Sequence, residues 1–551
     1  MGVGSLTQLS KRITFQQPLA GARGKTGSLL QPVECLLAAL ILLPSLPFPM
    51  ARDQSTFAYV ARIIQAGGWP YRDAWDIKPP GIYLAYACAL PPFIHGPHVD
   101  LALRIADLFI AVLVAGLTGA LARRVHPQAG PSAAAAYAGL YLQGGAWSMA
   151  QAEAWANLPA AAALAIMVVS PVSSNRWFLC GLLIGVAGLL KPTSAIPTLC
   201  IAAWLLSDRR SAAAWLAGLL LPIGATLLWL EIGHALVPYI ESQTLFVAAY
   251  SRLSATLGPT GSMAVGHHLV RWAAWVWPLL LPAGVALVRM RKAPGRVEFA
   301  ILVGATVSFG VVVVQNKFFR YHWECTQPFL AALAGVGLAQ ILSDYEHVRP
   351  RMLAATTGSV ALLWAIAASG SHFVYGIRLA ARLDPHDTYL QRFADPRKSR
   401  DYSPLETNQA AQWLNGRLRP GEKVAVWGFE PGIHLKTDTR APGRFFFDVP
   451  VVARFAPPRW RREYAADLDR EAPGWFIVVR NDAIPWASGR AEDSERLLAE
   501  DPVLRQILRR RYRFVHRTND FAFYRLTAGL PPIANPPASA PLPEGGPARR
   551  Q

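Results

Sequence analysis

Between residues 33 and 376, apolar runs of about 14 to 24 residues recur, and each ends in a short polar stretch. The hydrocarbon core of a bilayer is about 30 Å thick, and an α-helix crosses it in about 20 residues. Within lipid every backbone N–H and C=O must find its partner inside the segment, so runs of this kind are expected as transmembrane helices. Candidate spans fall at 33–49, 99–121, 132–150, 155–171, 177–190, 193–207, 212–231, 268–289, 297–315, 321–342 and 353–376. Ile82 to Ile94 is also apolar, but it has 13 residues and carries Pro91-Pro92, which suits a helix lying in the interface better than one crossing it.

Charge gives an independent reading. Only 16% of the residues are charged, against about 25% in an average soluble domain. The net charge of +19 could indicate nucleic acid, but the arginines stand in short pairs between apolar runs and form no basic face, so no nucleic-acid partner is expected. With the N-terminus in the cytoplasm, eleven spans put Arg123-Arg124, Arg176, Arg209-Arg210, the cluster from Arg289 to Arg296, and Arg349 with Arg351 on the inner side, as the positive-inside rule requires. Counting 82–94 as a span would move most of these clusters outside. The outer side then receives 50–98, a turn at Glu153, the Lys191-Pro192 turn, 232–267, 316–320 and everything after about residue 377. The loop 50–98 breaks the rule, since it carries Arg52, Arg62, Arg72 and Lys78; an anionic partner on the outer side accounts for that.

The expected product is an all-α polytopic membrane domain of about 11 helices, residues 33–376, behind a cytoplasmic N-terminal segment 1–32. The run at 33–48 could also be a signal peptide, but the many spans after it favour an uncleaved first helix. Beyond residue 400 the periodicity changes. Residues 406–418, 458–470 and 490–510 have helical patterns, and 423–427, 475–479, 512–515 and 521–526 read as strands. After a linker, 377–404, this alternation predicts a small soluble α/β domain, 405–528, on the extracytoplasmic side, then a disordered Pro/Ala-rich tail, 529–551. The five cysteines lie in apolar segments with no CxxC spacing and read as small core residues, without a disulfide framework or zinc site. The location that fits is a plasma membrane, the inner one in a bacterium.

The chemistry concentrates in Asp53 to Gly81, directly after the first span. Asp53 opens an amphipathic helical pattern through Ile64, where its plain structural reading is an N-cap accepting first-turn N–H groups. An acid fixed at a helix start beside the bilayer is also pre-positioned to act as a base. The second half, Gly68 to Gly81, has turn residues at both ends and places Arg72, Asp73, Asp76 and Lys78 among aromatics. As structure alone, Asp73 and Asp76 would pair with Arg72 and Lys78 on a solvated surface, which contributes little. As function, Pro79-Pro80 holds the Lys78 cation rigidly where a phosphate can meet it.

The order of an Asp after span one, then G-x-P-Y-R-D-x-W-D-x-K-P-P-G, then Arg104 and Asp107 in the second span, resembles the GT-C superfamily of integral-membrane glycosyltransferases. It is most similar to the family 39 branch, which groups bacterial aminoarabinose transferases with protein O-mannosyltransferases. Glu153 in Met149 to Trp155, Lys191 in Gly188 to Ser194, and Lys317 and His322 in Gln315 to His322 match the family's other loops more loosely. One departure stands out: the family's Asp-Glu pair is Asp53-Gln54 here. Read as structure alone, Glu153 is a solvated loop acid, Lys191 snorkels to the interface and His322 is a hydrogen-bonded core residue.

The resemblance implies a polyprenyl-phosphate sugar donor, an extracytoplasmic acceptor (lipid, glycan or protein) and a hexosyl or pentosyl transfer in the cell envelope. In that scheme Asp53 is the general base, and Lys78, helped by Arg62, Arg72, Lys191, Lys317 or His322, neutralises the phosphate. Glu153, Asp73 and Asp76 serve as acceptor-binding or supporting acids. Base and leaving group on opposite faces of the sugar imply inversion. No metal-ligand spacing appears, and a divalent cation stays open as an assistant. The rival from another class is a transporter or flippase of a lipid-linked sugar, which should show internal repeats or paired broken helices. None is visible in the sequence.

Overall fold

The computed structural model describes residues 30–168, 173–257, 262–292, 294–344, 350–394 and 402–527. The expected N-terminal segment, apart from its last residues, and the expected tail lie outside the described residues. The first half is helical throughout. Its main helices are α1 (Pro32–Leu42), α2 (Arg52–Gln65), α3 (Gly81–Ala89), α4 (His98–Val125), α5 (Gly130–Gly144), α6 (Ala152–Val168), α7 (Ser174–Leu190), α8 (Pro192–Leu205) and α9 (Arg209–Ile232). They continue with α10 (Ser262–Met290), α11 (Arg296–Gln315), a 3-10 turn at Arg320–Thr326, α12 (Gln327–Ser343), α13 (Pro350–Ala368) and α14 (Gly370–Ala380).

Five helical segments among the described residues are long and apolar enough to cross a membrane, and six are if the bent pair α13 and α14 counts as one. The others expected as spans are shorter. The run 132–150 yields a helix of 15 residues, about 22 Å long, because Gly145 takes a φ of +73° and ends it. The expected continuous span 353–376 bends by 75° at Ser369-Gly370, a pairing that lets a helix kink. Outward faces are apolar: on α9, Leu228 is 62% and Ile232 67% exposed, which marks a surface turned to lipid rather than water. The same helix meets α7 closely, since a Cβ on Gly181 or Gly218 would overlap a backbone carbonyl of the other helix.

The helix expected after Asp53 forms as α2, with Phe57, Ala58, Val60 and Ala61 buried. The 13-residue stretch after Gly81 gives α3, nine residues long and far too short to span.

In the C-terminal part, β1 (Val424–Trp427), β2 (Trp475–Val479), β3 (Tyr512–Arg517) and β4 (Phe521–Leu526) form one sheet in the order β1-β2-β4-β3. β1 and β2 run parallel, and the other pairs are antiparallel. Helices α15 (Pro404–Asn415), α16 (Pro458–Glu471), α17 (Ser494–Glu500) and α18 (Pro502–Arg511) accompany it. The single helix expected at 490–510 is two, because the Asp501 side chain caps α18 at Val503 and Leu504 and Pro502 cannot continue α17.

This unit sits on the first loop. Tyr59 of α2 stacks on Phe446 with ring centroids 4.2 Å apart, and its hydroxyl accepts from the Ala441 N–H at 3.0 Å. Trp75, 1% exposed, is boxed by Phe246, Phe445, Phe447 and Trp460, while its backbone N–H donates to the Arg444 carbonyl at 2.8 Å. Deleting a ring this enclosed leaves a cavity that its neighbours cannot fill. Trp75→Ala is expected to destabilise the protein by about 3–5 kcal/mol, read as a fall in the thermal unfolding temperature of detergent-solubilised protein.

Candidate active site

The Lys-Pro-Pro-Gly turn is fixed by its backbone. The Tyr71 hydroxyl donates to the Lys78 carbonyl at 2.7 Å, the Lys78 N–H donates to the Tyr83 hydroxyl at 3.2 Å, and Gln243 Nε2 donates to the Ile77 carbonyl at 3.0 Å. A Cβ on Gly81 would lie 2.5 Å from the Leu189 carbonyl, so only glycine lets the turn press against the end of α7. That approach sets Lys78 beside the α7–α8 junction, where Lys191 stands.

Three loops converge on this point. Lys191 Nζ pairs with Glu153 Oε1, at the start of α6, at 2.7 Å, and His322 Nε2 lies 3.8 Å from the same oxygen. Lys78 Nζ has no ion pair among the described residues and lies between the rings of Phe57, at 5.7 Å, and Tyr321, at 5.4 Å. Lys317 Nζ sits 3.6 Å over the Tyr250 ring. Asp53 is half-buried, and Gln151 Nε2 reaches its Oδ2 at a long 3.4 Å. Four non-glycine residues with positive φ stand in these loops: Tyr71 (65°), Ala150 (59°), Asn316 (50°) and Phe318 (48°). Backbone held in this region stores strain, and such strain gathers where side chains must be aimed.

Charge follows the geometry. Burial alone would lower the pKa of the Lys78 ammonium, but the carboxylates of Glu153, Asp53 and Asp76 more than offset it and hold the group above the ordinary lysine value. Burial pushes the Asp76 carboxyl up to about 6, against the hydrogen bond from the Tyr83 hydroxyl at 2.7 Å. Lys317 is lowered to about 8 by burial and by the neighbouring cations Lys191 and Lys78.

Several candidates take other places. Asp53 caps nothing: Ala51 occupies the N-cap position and Asp53 is the second residue of α2, with a carboxylate that accepts no first-turn N–H. Arg62 donates to the carbonyls of Pro91 and Ile94, tying down the chain after α3. Arg72 pairs with Asp73 at 2.7 Å and donates to the Gly233 carbonyl at 2.7 Å, while Asp73 also accepts from the Trp69 N–H. Arg62, Arg72 and Asp73 are thus engaged elsewhere, and among the described residues none bonds to Lys78, Glu153 or Lys191. Asp76 bonds to Tyr83 and makes no ion pair with Lys78. The sequence reading passes over Tyr83, Gln151 and Tyr250, which nothing in their own neighbourhoods distinguishes from packing residues; Phe57 enters it only as an apolar position of its helix, and Tyr321 only as the neighbour of His322 in the family's Tyr-His pair.

Arg104 and Asp107 of α4 brace the site from behind. Arg104 donates to the carbonyls of Phe48 and Pro49, which lead into α2, and Asp107 accepts from the Tyr141 hydroxyl at 2.7 Å and Trp155 Nε1 at 2.9 Å. Below the turn lies a groove of about 330 Å3 lined by Pro79, Pro80, Leu189, Pro192, Leu199 and Tyr239. It is almost wholly apolar and is bounded by the residues that follow Lys78 and Lys191. Among the described residues, no three His, Cys, Asp or Glu side chains come together as metal ligands.

No protein-family model and no curated protein matches the sequence. Solved structures match its fold. ArnT from Cupriavidus metallidurans, determined with undecaprenyl phosphate bound, is similar over 90% of this chain and 97% of its own, with a TM-score of 0.54 and 14% identity. The archaeal oligosaccharyltransferase AglB from Archaeoglobus fulgidus, in complex with an inhibitory peptide and a dolichol-phosphate, has a TM-score of 0.45 and 13% identity over 90% of this chain and 74% of its own. The arabinofuranosyltransferase AftD from mycobacteria has a TM-score of 0.45 and 17% identity over 90% of this chain and 40% of its own. The chain shares the fold of ArnT and carries helices long and apolar enough to cross a membrane.

Proposed function

We propose that this chain is an inverting glycosyltransferase that moves a sugar from a polyprenyl-phosphate donor to an extracytoplasmic acceptor, from the outer face of a plasma membrane. The observation that carries this reading is the Lys78 ammonium, without an ion pair among the described residues, on a rigid turn whose two prolines line an apolar groove. A phosphate on a long prenyl tail has that same division into one anionic end and one apolar end. The fold of ArnT, determined with undecaprenyl phosphate bound, supports it.

In this scheme the donor phosphate meets Lys78, with Lys191 and Lys317 completing the positive field. The acceptor hydroxyl gives its proton to Asp53 as its oxygen forms a bond to the anomeric carbon. The bond from that carbon to the phosphate oxygen breaks, and polyprenyl phosphate leaves with the electron pair. Charge grows on the leaving oxygen in the transition state, so fixed cations there lower the barrier more than they strengthen ground-state binding. Glu153 holds Lys191 in place, and its negative charge keeps Lys78 protonated.

Mass spectrometry of envelope lipids, glycans and proteins from cells with and without the chain tests this reading. A glycosylated envelope species that disappears with the chain is expected; an unchanged set of glycosylated species contradicts it.

Two smaller results are expected. Because Lys317 loses its proton near pH 8, the KM for donor should rise as pH increases through that value, and Lys317→Arg, which stays charged, should flatten the rise. Steady-state donor titrations from pH 7 to 9 check this. Glu153→Gln leaves Lys191 buried beside a neutral partner, a loss of about 3–5 kcal/mol for a broken buried pair, visible in thermal unfolding.

A further inference from the structure

The residues on either side of Asp53 are tied in opposite directions. Arg52 reaches into the C-terminal part, 3.7 Å from Glu430 and within cation–π distance of the Tyr402 and Phe429 rings. Gln54, fully buried, turns the other way. Its Oε1 accepts from the Ala51 N–H, and its Nε2 donates to the Ala146 carbonyl at 2.8 Å and to the Met149 carbonyl. One carboxamide therefore joins the first turn of α2 to the loop 145–151. That loop is anchored from behind as well: the Tyr86 hydroxyl donates to the Ala150 carbonyl at 2.6 Å, and the Ala150 N–H donates to the Tyr141 hydroxyl at 2.9 Å. The next residue on it, Gln151, is the one that touches Asp53, and Glu153 follows two positions later.

We propose that Gln54 is a positioning residue: its amide sets the placement of Asp53 relative to Gln151 and the Glu153–Lys191 pair. This rests on the reading of Asp53 as the base. The chemistry requires an amide. Two backbone carbonyls need donors and one backbone N–H needs an acceptor, and an ionised carboxylate offers no donor at all. A glutamate at this position would set its oxygens against two carbonyl oxygens; Arg104 Nη2, 3.4 Å from the Gln54 Oε1 and 3.3 Å from the Ala146 carbonyl, would meet the new charge but leaves the Met149 carbonyl without the donor that the amide supplies. The Asp53-Gln54 sequence is thus a working alternative to a pair of acids, with the second position serving the scaffold and the first the reaction.

The test uses full-length protein with Gln54→Met, which keeps the volume and removes the hydrogen bonds, and Gln54→Glu. In hydrogen–deuterium exchange, Gln54→Met should speed exchange at least about tenfold in peptides covering 145–153, with α9 and the β1-β2-β4-β3 sheet unchanged. Normalised to folded protein, its kcat should fall about 10- to 100-fold while the KM for donor stays within about twofold, since a misplaced group costs rate more than binding. Gln54→Glu, which loses both amide donors, should likewise speed exchange in 145–153 and lower kcat, with the KM for donor kept within about twofold. Wild-type exchange in 145–153, or wild-type kcat in the folded Gln54→Met protein, overturns the proposal. If Gln54→Met does not fold, Gln54→Glu carries both readouts. If the wild-type protein transfers no sugar, the glycosyltransferase reading fails while the exchange measurement still decides whether Gln54 holds the loop.

Discussion

Lys78→Ala should fold and insert normally yet lose roughly 10² to 10³ in kcat/KM for sugar transfer, the usual effect of removing one oriented group that stabilises transition-state charge. The fold should survive because the turn is held by its backbone and not by the lysine amine. Its carbonyl accepts from Tyr71, its N–H donates to Tyr83, and Gly81 lies against Leu189. The amine itself lies over the Phe57 and Tyr321 rings and makes no ion pair among the described residues. Binding should weaken too: native mass spectrometry of the purified protein with undecaprenyl phosphate should show occupancy reduced in the variant. Lys78→Arg should restore little, since a planar, delocalised guanidinium does not put a compact charge where the ammonium stood. Near-wild-type transfer by Lys78→Ala sinks the phosphate role of this residue.

Asp53→Asn removes the base and keeps the shape. Transfer should fall by roughly 10² to 10⁴, the range for positioned general-base catalysis. In contrast to Lys78→Ala, undecaprenyl phosphate binding should be unchanged, because the carboxylate contributes to the acceptor side of the reaction and is not an anion anchor. The two variants therefore separate in one pair of measurements: both lose rate, and only one loses the lipid phosphate. If Asp53→Asn transfers sugar at the wild-type rate, another group takes the proton. Equal loss of lipid phosphate binding in both variants contradicts the division of roles between them.

Much of this arrangement is legible in the chain, and the parts that are not share a cause. The helix at 52–65, the four strands and the short helix after Gly81 follow from periodicity, which is a local property. The grouping of Lys78, Glu153, Lys191, Lys317 and His322 follows from the sign of charges in successive loops, which put them all on one side. Proximity within that side is not encoded locally. Arg62 and Arg72 are nearer to Lys78 in sequence than Lys191 is, yet Arg62 binds carbonyls of its own loop and Arg72 binds Asp73 and the distant Gly233 carbonyl, while Lys191 comes in from another helix junction. Asp53 misleads in the same way. Its residue type suits an N-cap, but the chain enters α2 at Ala51, held by Gln54 and by Arg104 of the distant helix α4. Length misleads for the spans, since the apolar run through residue 150 contains Gly144-Gly145, and a single positive φ ends the helix inside it.

The most direct measurement reconstitutes the purified protein in lipid vesicles with a radiolabelled polyprenyl-phosphate sugar and an extract of envelope acceptors, and follows both the label and the lipid carrier. Transfer predicts that polyprenyl phosphate accumulates as label leaves the lipid for an acceptor, with both changes abolished by Asp53→Asn. Label that stays on intact donor, whether left in place or moved to the other leaflet, contradicts it.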